Sequence, residues 1–174
     1  MKKLISILIL LSLSISSLLA QNAYREKGTF AIDGGIGLSS LSGEYSLVLP
    51  PVKLDAEYTL LTFGAGSLSV GGYFSLGVNR LRSYDMNVTT FLIGPMGNVR
   101  YAVSDDFDIF GKFIVGFVGV STSDTLVNSY VRGSHAGGGA YVGGTWYFSP
   151  KMGMGAEIGY GGPTLFGVHL TVKI

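Results

Sequence analysis

Apolar residues occupy every second position along most of the chain, with small, polar or singly charged residues between them. One clear example runs through Phe30, Ile32, Ile36 and Leu38, and another covers residues 152–160. A β-strand places successive side chains on opposite faces, so an alternation with period two predicts strands. Glycine disfavours helices, and the 27 glycines of the chain argue against a helical bundle.

The alternation divides the chain into eight predicted strands: residues 28–38, 58–65, 68–78, 89–103, 108–120, 136–148, 152–161 and 164–174. Longer connections at 41–56, 79–87 and 121–133 alternate with short turns, as they do between the two ends of a membrane barrel. Pro95 cannot donate to a sheet ladder, so we expect a β-bulge there. The predicted fold class is all-β, an eight-stranded antiparallel up-and-down transmembrane β-barrel.

The first twenty residues are typical of a secretory signal peptide. Lys2 and Lys3 precede an apolar run over 4–13, and the small residue Ala20 precedes Gln21. We therefore expect residues 1–20 to be a signal peptide and residues 21–174 to form one outer-membrane barrel domain. An uncleaved membrane anchor is the alternative, although the run is short for a spanning helix.

Composition excludes several classes of protein. Removing Lys2 and Lys3 from the 12 basic residues leaves 10 against 11 acidic residues, so nothing in the charge predicts a nucleic-acid partner. The absence of cysteine excludes a disulfide framework and a thiolate metal site. No later segment approaches the ~20 apolar residues of a membrane helix.

Six ionisable residues fall on the strand face opposite the apolar one. If the apolar face meets lipid, these side chains converge inside the barrel and must pair, because an isolated buried charge is costly. The expected lumen charge network comprises Asp33, Arg100, Lys112, Glu157, His169 and Lys173. Eight strands leave room only for side chains, so we expect a closed lumen. Inward glycines such as Gly143 and Gly155 leave space, which keeps a narrow channel or small-ligand-binding barrel open as an alternative.

Aromatic residues cluster near the predicted strand ends, where a lipid-facing barrel places its interfacial girdles. The expected girdle residues are Tyr58, Tyr101, Trp146, Phe148, Tyr160 and Phe166. Their placement favours a membrane barrel over a soluble barrel of lipocalin type, which would carry its apolar residues inside.

An apolar run lies in the predicted connection 41–56, which we expect to be a loop facing outward. It consists of Leu47, Val48, Leu49, Pro50, Pro51 and Val52. Exposed apolar patches mark interaction sites, so this loop is a candidate contact surface for a host molecule or another envelope protein. The alternative is a loop folded over the barrel mouth.

No catalytic, metal or cofactor site is predicted. Ser134 and His135 are adjacent on one strand and point to opposite faces, and Glu157 is far along the next strand, so they do not form a hydrolase triad. An outer-membrane lipid-modifying enzyme is the least favoured alternative. The acidic turn at 105–108 lacks the spacing of a calcium loop, and a solvated turn is favoured.

The stretch 91–101, the acidic turn after it and residues 110–113 resemble a recurrent strand pair in the small outer-membrane β-barrels of OmpA or OmpX type. The last strand resembles the assembly signal of those proteins. The resemblance covers all of residues 21–174. It implies a porin-like barrel in the cell outer membrane of a Gram-negative bacterium, with outer-membrane lipid and the barrel assembly machinery as partners. From the plugged lumen and the outward loops we expect a structural or interaction role, with a possible extracellular or envelope protein partner.

Overall fold

The structure, a computed structural model, describes residues 23, 25–39, 44–122 and 133–174. The predicted signal peptide lies outside these residues. The strands are β1 (Phe30–Ser39), β2 (Tyr45–Phe63), β3 (Gly66–Leu81), β4 (Met86–Ala102), β5 (Phe107–Thr122), β6 (Gly133–Tyr147), β7 (Met152–Tyr160) and β8 (Thr164–Lys173). Each pairs antiparallel with the next, and β1 also pairs with β8, so the sheet closes into a barrel. No helix in the described ranges is long and apolar enough to cross a membrane.

The alternation along each strand separates an apolar outer face from a polar inner face. In β5, Phe113 is 62% exposed, whereas the neighbouring Lys112 is 2% exposed. A barrel surrounded by water would reverse this arrangement, because isolated charges belong in water and large apolar side chains do not. A closed hydrogen-bonded sheet with apolar side chains outside satisfies every condition for spanning lipid. The predicted eight-stranded transmembrane barrel is confirmed.

The prediction of a loop at 41–56 is wrong, because the strand β2 occupies residues 45–63. Its pairing with β3 shifts register between Leu47 and Leu49, and again between Leu49 and Val52. Successive N–H groups of a strand point to opposite edges, so the tandem prolines Pro50 and Pro51 remove one donor from each edge. They interrupt the ladder with β3 without ending the strand.

The expected bulge at Pro95 is also wrong. β3 and β4 keep one register from Gly66 opposite Tyr101 to Leu81 opposite Met86, and Pro95 lies opposite Gly72 within it. Pro95 is absent from the pairing with β5, although the register is the same on both sides of the gap. Gly94 is absent from this pairing too, so two positions of the ladder are unpaired and no residue is inserted.

The connections at one end of the barrel are short turns, and we call this end the short-turn end. It carries Gly64–Ala65, the acidic turn 103–106 and the turn 148–151. At the opposite end, the predicted connection 79–87 is shorter than expected, since only residues 82–85 separate β3 from β4. Most of the predicted connection 121–133 lies outside the described residues.

Strand length differs around the barrel. β1, β7 and β8 have 10, 9 and 10 residues, whereas β2 to β6 have 15 to 19. The pairing of β6 with β7 stops at Ala140, but its pairing with β5 continues to Gly133. Similarly, β2 continues along β3 beyond its last β1 partner, Ile36. Strands β2 to β6 thus project past the rest of the wall, away from the short-turn end, and we call this part the extension.

Candidate functional site

The lumen is the part of this fold where chemistry-bearing side chains meet. Ten buried charged side chains project into it from the described residues, with five cations balancing five carboxylates. The cations are Arg25, Lys53, Arg100, Lys112 and Lys173, and the carboxylates are Asp33, Asp55, Glu57, Asp108 and Glu157. A charge taken out of water is tolerated when it is paired and hydrogen-bonded, so equal numbers are the expected solution.

Arg100 is the centre of a lower cluster near the short-turn end. Its guanidinium lies 2.9 Å from Glu57 Oε1, 3.1 Å from Asp33 Oδ2 and 3.1 Å from Asp108 Oδ1. It also donates to Thr145 Oγ1 at 3.2 Å. A guanidinium presents its donors in a rigid fork, so one side chain can bind carboxylates from several directions. Arg100 therefore links β4 to β1, β2 and β5 across the lumen.

Lys112 is the centre of a middle cluster. Its ammonium contacts Asp55 Oδ2 and lies 3.2 Å from Glu157 Oε2. Lys53 reaches the same Glu157 oxygen at 2.6 Å and lies 3.4 Å from His169 Nδ1. Two ammonium groups thus share one carboxylate, and a second carboxylate offsets the repulsion between them. This cluster joins β2, β5, β7 and β8.

Above the middle cluster the lumen becomes apolar. Its aromatic layer consists of Tyr73, Leu92, Met96, Ile114 and Tyr141, all buried. The rings of Tyr73 and Tyr141 stack with centroids 5.8 Å apart. The hydroxyl oxygens of both tyrosines lack a hydrogen-bond partner, so this layer is held by packing.

The β7–β8 turn covers this layer. A Cβ added at Gly162 would lie 2.7 Å from Tyr141 Oη and 3.1 Å from Leu92 Cδ2. The Pro163 ring lies close to Gly77 of β3, because a Cβ added at Gly77 would lie 3.2 Å from Pro163 Cβ. The turn therefore lies across the upper end of the lumen.

Two of the inward glycines, Gly143 and Gly155, are closely surrounded by other atoms. A Cβ added at Gly143 would lie 2.3 Å from the carbonyl oxygen of Ala156 and 2.7 Å from Phe110 Cζ. One added at Gly155 would lie 2.5 Å from His169 Nε2. Neighbouring backbone and the rings of Phe110 and His169 thus occupy the space beside these two glycines, and the closed lumen itself stays a prediction.

All six ionisable residues expected in the lumen are buried there. Asp33, Arg100, Lys112, Glu157 and His169 belong to the two clusters, and the Lys173 ammonium lies 3.8 Å from the Tyr147 ring centroid. Lys53, Asp55 and Glu57 were not among the residues predicted for the lumen, although they alternate with apolar residues in the same way as the six. Asp108 was expected in a solvated turn, whereas it is fully buried beside Arg100.

The expected girdle residues lie on the outer face, and Tyr58, Tyr101, Trp146, Tyr160 and Phe166 are 40–81% exposed. Tyr101, Trp146 and Phe148 lie beside the turns of the short-turn end, with Trp146 and Phe148 rings 6.0 Å apart. Tyr160 and Phe166 flank the β7–β8 turn. The girdle role itself stays a prediction.

The apolar run 47–52 lies in the strand β2 rather than in a loop. Leu47, Val48 and Leu49 are 42–51% exposed on the extension, and Pro50 is exposed too, whereas Pro51 is buried and Val52 is half-buried. The role of this run as a contact surface stays a prediction.

The residues considered for catalysis lie in different parts of the barrel. Ser134 and His135 are exposed at the start of β6, opposite Gly119 and Val118 of β5. Glu157 is buried in the middle cluster with Lys53 and Lys112. Among the described residues, no group of three or more His, Asp or Glu side chains is placed to hold a metal ion.

A sheet that turns charges inward, pairs them across the barrel and exposes apolar side chains outward defines a transmembrane β-barrel. No family model and no curated protein matches the chain. Among solved structures, a de novo designed transmembrane β-barrel matches with a TM-score of 0.51 and 19% identity, over 87% of this chain and 99% of the other. The attachment invasion locus protein Ail of Yersinia pestis, crystallised with the heparin analogue sucrose octasulfate, matches with a TM-score of 0.49 and 10% identity, over 84% and 95%. The likeness to the designed barrel concerns the fold.

Proposed function

We propose that this protein is an outer-membrane β-barrel of a Gram-negative bacterium with a structural and interaction role and a closed lumen. The signal-like residues 1–20 and the resemblance of residues 91–101 and 110–113 to OmpA- and OmpX-type barrels support this location. In that setting outer-membrane lipid surrounds the wall, and the barrel assembly machinery inserts it. The apolar outer face and the short turns at one end of the barrel are typical of outer-membrane barrels and support this location.

The observation that supports a closed lumen is the arrangement of the inward side chains. Paired charges occupy the lower and middle parts of the lumen, the aromatic layer lies above them, and the β7–β8 turn covers that layer. Ion flow requires continuous water, and eight strands already leave little width for it. A barrel without a path for solutes acts through its surfaces.

The extension offers the surface for contact. In the extension, β2 to β6 continue beyond the level where β1, β7 and β8 end. This part of the barrel carries the exposed side chains of Leu47, Val48 and Leu49. Contiguous apolar side chains on a surface outside the lipid zone mark an interaction site. We infer that an extracellular or envelope protein binds this part of the molecule.

Planar-bilayer recordings test the closed lumen. We expect no steady conductance from the reconstituted protein at neutral pH. Steady channels that are lost on substitution of Arg100 or Glu157 would overturn the closed lumen and favour the narrow-channel alternative.

Binding to cells and to envelope extracts tests the contact surface. The triple variant L47T/V48T/L49T places β-branched residues, which favour strands, at all three positions and removes the apolar patch, so we expect its binding to fall with the barrel intact. The control is Val103→Thr, which changes an apolar residue that is 57% exposed at the short-turn end. Equal binding by the triple variant and the control would contradict an interaction role for the extension.

The proposed role includes no catalysis. The distance along β6 and β7 between Ser134, His135 and the buried Glu157 supports this, since a nucleophile, base and orienting acid must lie within hydrogen-bond reach. Mass spectrometry of lipid A from cells with and without the protein tests it. An altered lipid A in the presence of the protein would favour an enzyme.

A further inference from the structure

The residues before β1 lie at the mouth of the barrel at the short-turn end. Gly28 N donates to the carbonyl of Thr59 on β2 at 2.9 Å, so the segment starts at the β1–β2 wall. Ala23 N donates to the carbonyl of Asp105 in the turn between β4 and β5. β2 and the turn between β4 and β5 lie two to three strands apart in the closed barrel of eight. The described residues of this segment, 23 and 25–28, therefore contact the wall of the mouth at two separate places.

Arg25, at the middle of this segment, points into the lumen. It is 2% exposed, whereas its neighbours Glu26 and Lys27 are exposed. Its Nη1 forms an ion pair with Glu57 Oε1, and its Nη2 donates to Tyr147 Oη at 3.2 Å. Arg25 is the one member of the ten buried charges in the described ranges that does not come from a barrel strand.

The groups that hold Arg25 do not depend on it. Without Arg25, Glu57 still accepts from Arg100 Nη2 at 2.9 Å and from Asn98 Nδ2 at 2.8 Å. Tyr147 still donates to Asp108 Oδ2 at 3.0 Å. Because Glu57 Oε1 also accepts from Arg100 Nε at 3.2 Å and Tyr147 stays bound to Asp108, withdrawal of Arg25 leaves both acceptors held in place, with the phenol oxygen of Tyr147 able to accept again.

We propose that Glu57 and Tyr147 form a guanidinium-binding pocket at the short-turn end, which the protein's own N-terminal segment fills with Arg25 and so holds the mouth closed. The two acceptors lie on β2 and β6, and the forked guanidinium bridges them with two of its nitrogens. A lysine ammonium is a point charge on a single nitrogen and cannot reproduce this bridge in the same geometry. The pocket is thus selective for guanidinium groups.

Cysteine labelling of the full mature protein in lipid bilayers tests this proposal. The chain contains no cysteine, so Ser69→Cys gives a unique reporter. Ser69 is fully buried, and its hydroxyl lies 3.1 Å from that of Thr59, the residue against which the segment pairs. A water-soluble methanethiosulfonate reagent added from the short-turn side reports how often the mouth opens.

We expect slow labelling of the S69C protein and labelling faster by roughly tenfold in S69C/R25A, since the reaction follows the population of the open form. Methylguanidinium in excess is expected to restore slow labelling of S69C/R25A, and methylammonium is expected to leave it fast. The control S69C/K27A changes an exposed cation of the same segment and should label as slowly as S69C. Heat-modifiable gel migration verifies that each variant is a folded barrel.

Labelling of S69C/R25A at the parent rate would overturn the closure of the mouth, and equal protection by methylguanidinium and methylammonium would overturn the pocket. If R25A fails to fold, S69C/R25K carries the test: faster labelling than the parent, slowed by methylguanidinium, is expected. An unchanged rate in R25K would overturn the proposal. These rates do not depend on conductance, so a failure here is distinct from a failure of the closed-lumen role.

Discussion

The lower cluster and the aromatic layer fill the same lumen with opposite chemistry. In the lower cluster, Arg100 binds three carboxylates from three other strands, and every contact is directional. In the aromatic layer, Tyr73 and Tyr141 stack while their hydroxyl groups lack partners. The difference teaches that position along the barrel, and not the inward face alone, decides whether a side chain is held by charge or by shape.

The largest effect should come from breaking the lower cluster. Arg100→Met keeps the length of the side chain and leaves Asp33, Glu57 and Asp108 with one cation fewer. Removing one partner of a buried ion pair costs about 3–5 kcal/mol of the free energy of unfolding. Urea unfolding in lipid, followed by the fluorescence of Trp146, measures it.

Arg80→Met is the matched control, because Arg80 pairs with Asp85 through side chains that are 50% and 79% exposed. An exposed pair contributes about 0–1 kcal/mol, so this variant should unfold close to the parent. Similar losses for both arginines would contradict the distinction between buried and exposed pairs.

A cavity in the aromatic layer should have the next largest effect. Leu92 is fully buried between the two tyrosines and the β7–β8 turn, so Leu92→Ala should lower the free energy of unfolding by about 3 kcal/mol. Leu47→Ala on the extension, where Leu47 is 48% exposed, should cost about 0.5 kcal/mol or less. Unfolding of both variants in urea gives the comparison, and equal values would show that the layer is not packed.

A methyl group added to the inner wall should lower the free energy of unfolding by less than Arg100→Met or Leu92→Ala. Gly143→Ala forces a Cβ to within 2.3 Å of the Ala156 carbonyl oxygen, and overpacking of this kind costs about 1–3 kcal/mol. Gly72→Ala on the outer wall meets no atom within 4 Å and should unfold within about 0.5 kcal/mol of the parent. If Gly143→Ala is as stable as Gly72→Ala, the lumen beside residue 143 has room for a methyl group, which would contradict the close packing described here.

Two buried tyrosines provide the finest comparison between the regions. Tyr147→Phe removes a donor to Asp108 and an acceptor for Arg25, so it should cost about 1.5 kcal/mol. Tyr141→Phe removes a hydroxyl group without a partner and should change stability by about 0.5 kcal/mol or less in either direction. The same urea titrations resolve the two, and a larger loss for Tyr141→Phe would show that its hydroxyl is bound.

Much of the wall could be predicted because a strand buries alternate residues. The alternation through β7 and β8 places Glu157 and His169 inside without any knowledge of the fold. The same signal was present in β2, where Lys53, Asp55 and Glu57 alternate with apolar residues. Pro50 and Pro51 indicate a loop, whereas in this barrel they lie within a long strand.

The alternation of apolar residues could not predict the contacts of Asp108 and Arg25. Asp108 follows the acidic turn, and only the register of β4 with β5 shows that it faces Arg100. Arg25 lies outside every strand, and its burial depends on where the segment lies at the mouth. Periodicity gives the face of a residue in a strand, but it does not give the partner across the lumen or the path of a segment between elements.

The tandem prolines of β2 have a consequence for crowded membranes. The ladder between β1 and β2 ends at Ile36 and Val52, directly before the prolines, whereas β6 offers residues 133–139 without proline beyond its last β7 partner. Exposed strand edges are where separate copies of a sheet protein can pair. A proline removes one donor from such an edge, so we expect the β2 side of the extension to join a neighbouring copy less readily than the β6 side.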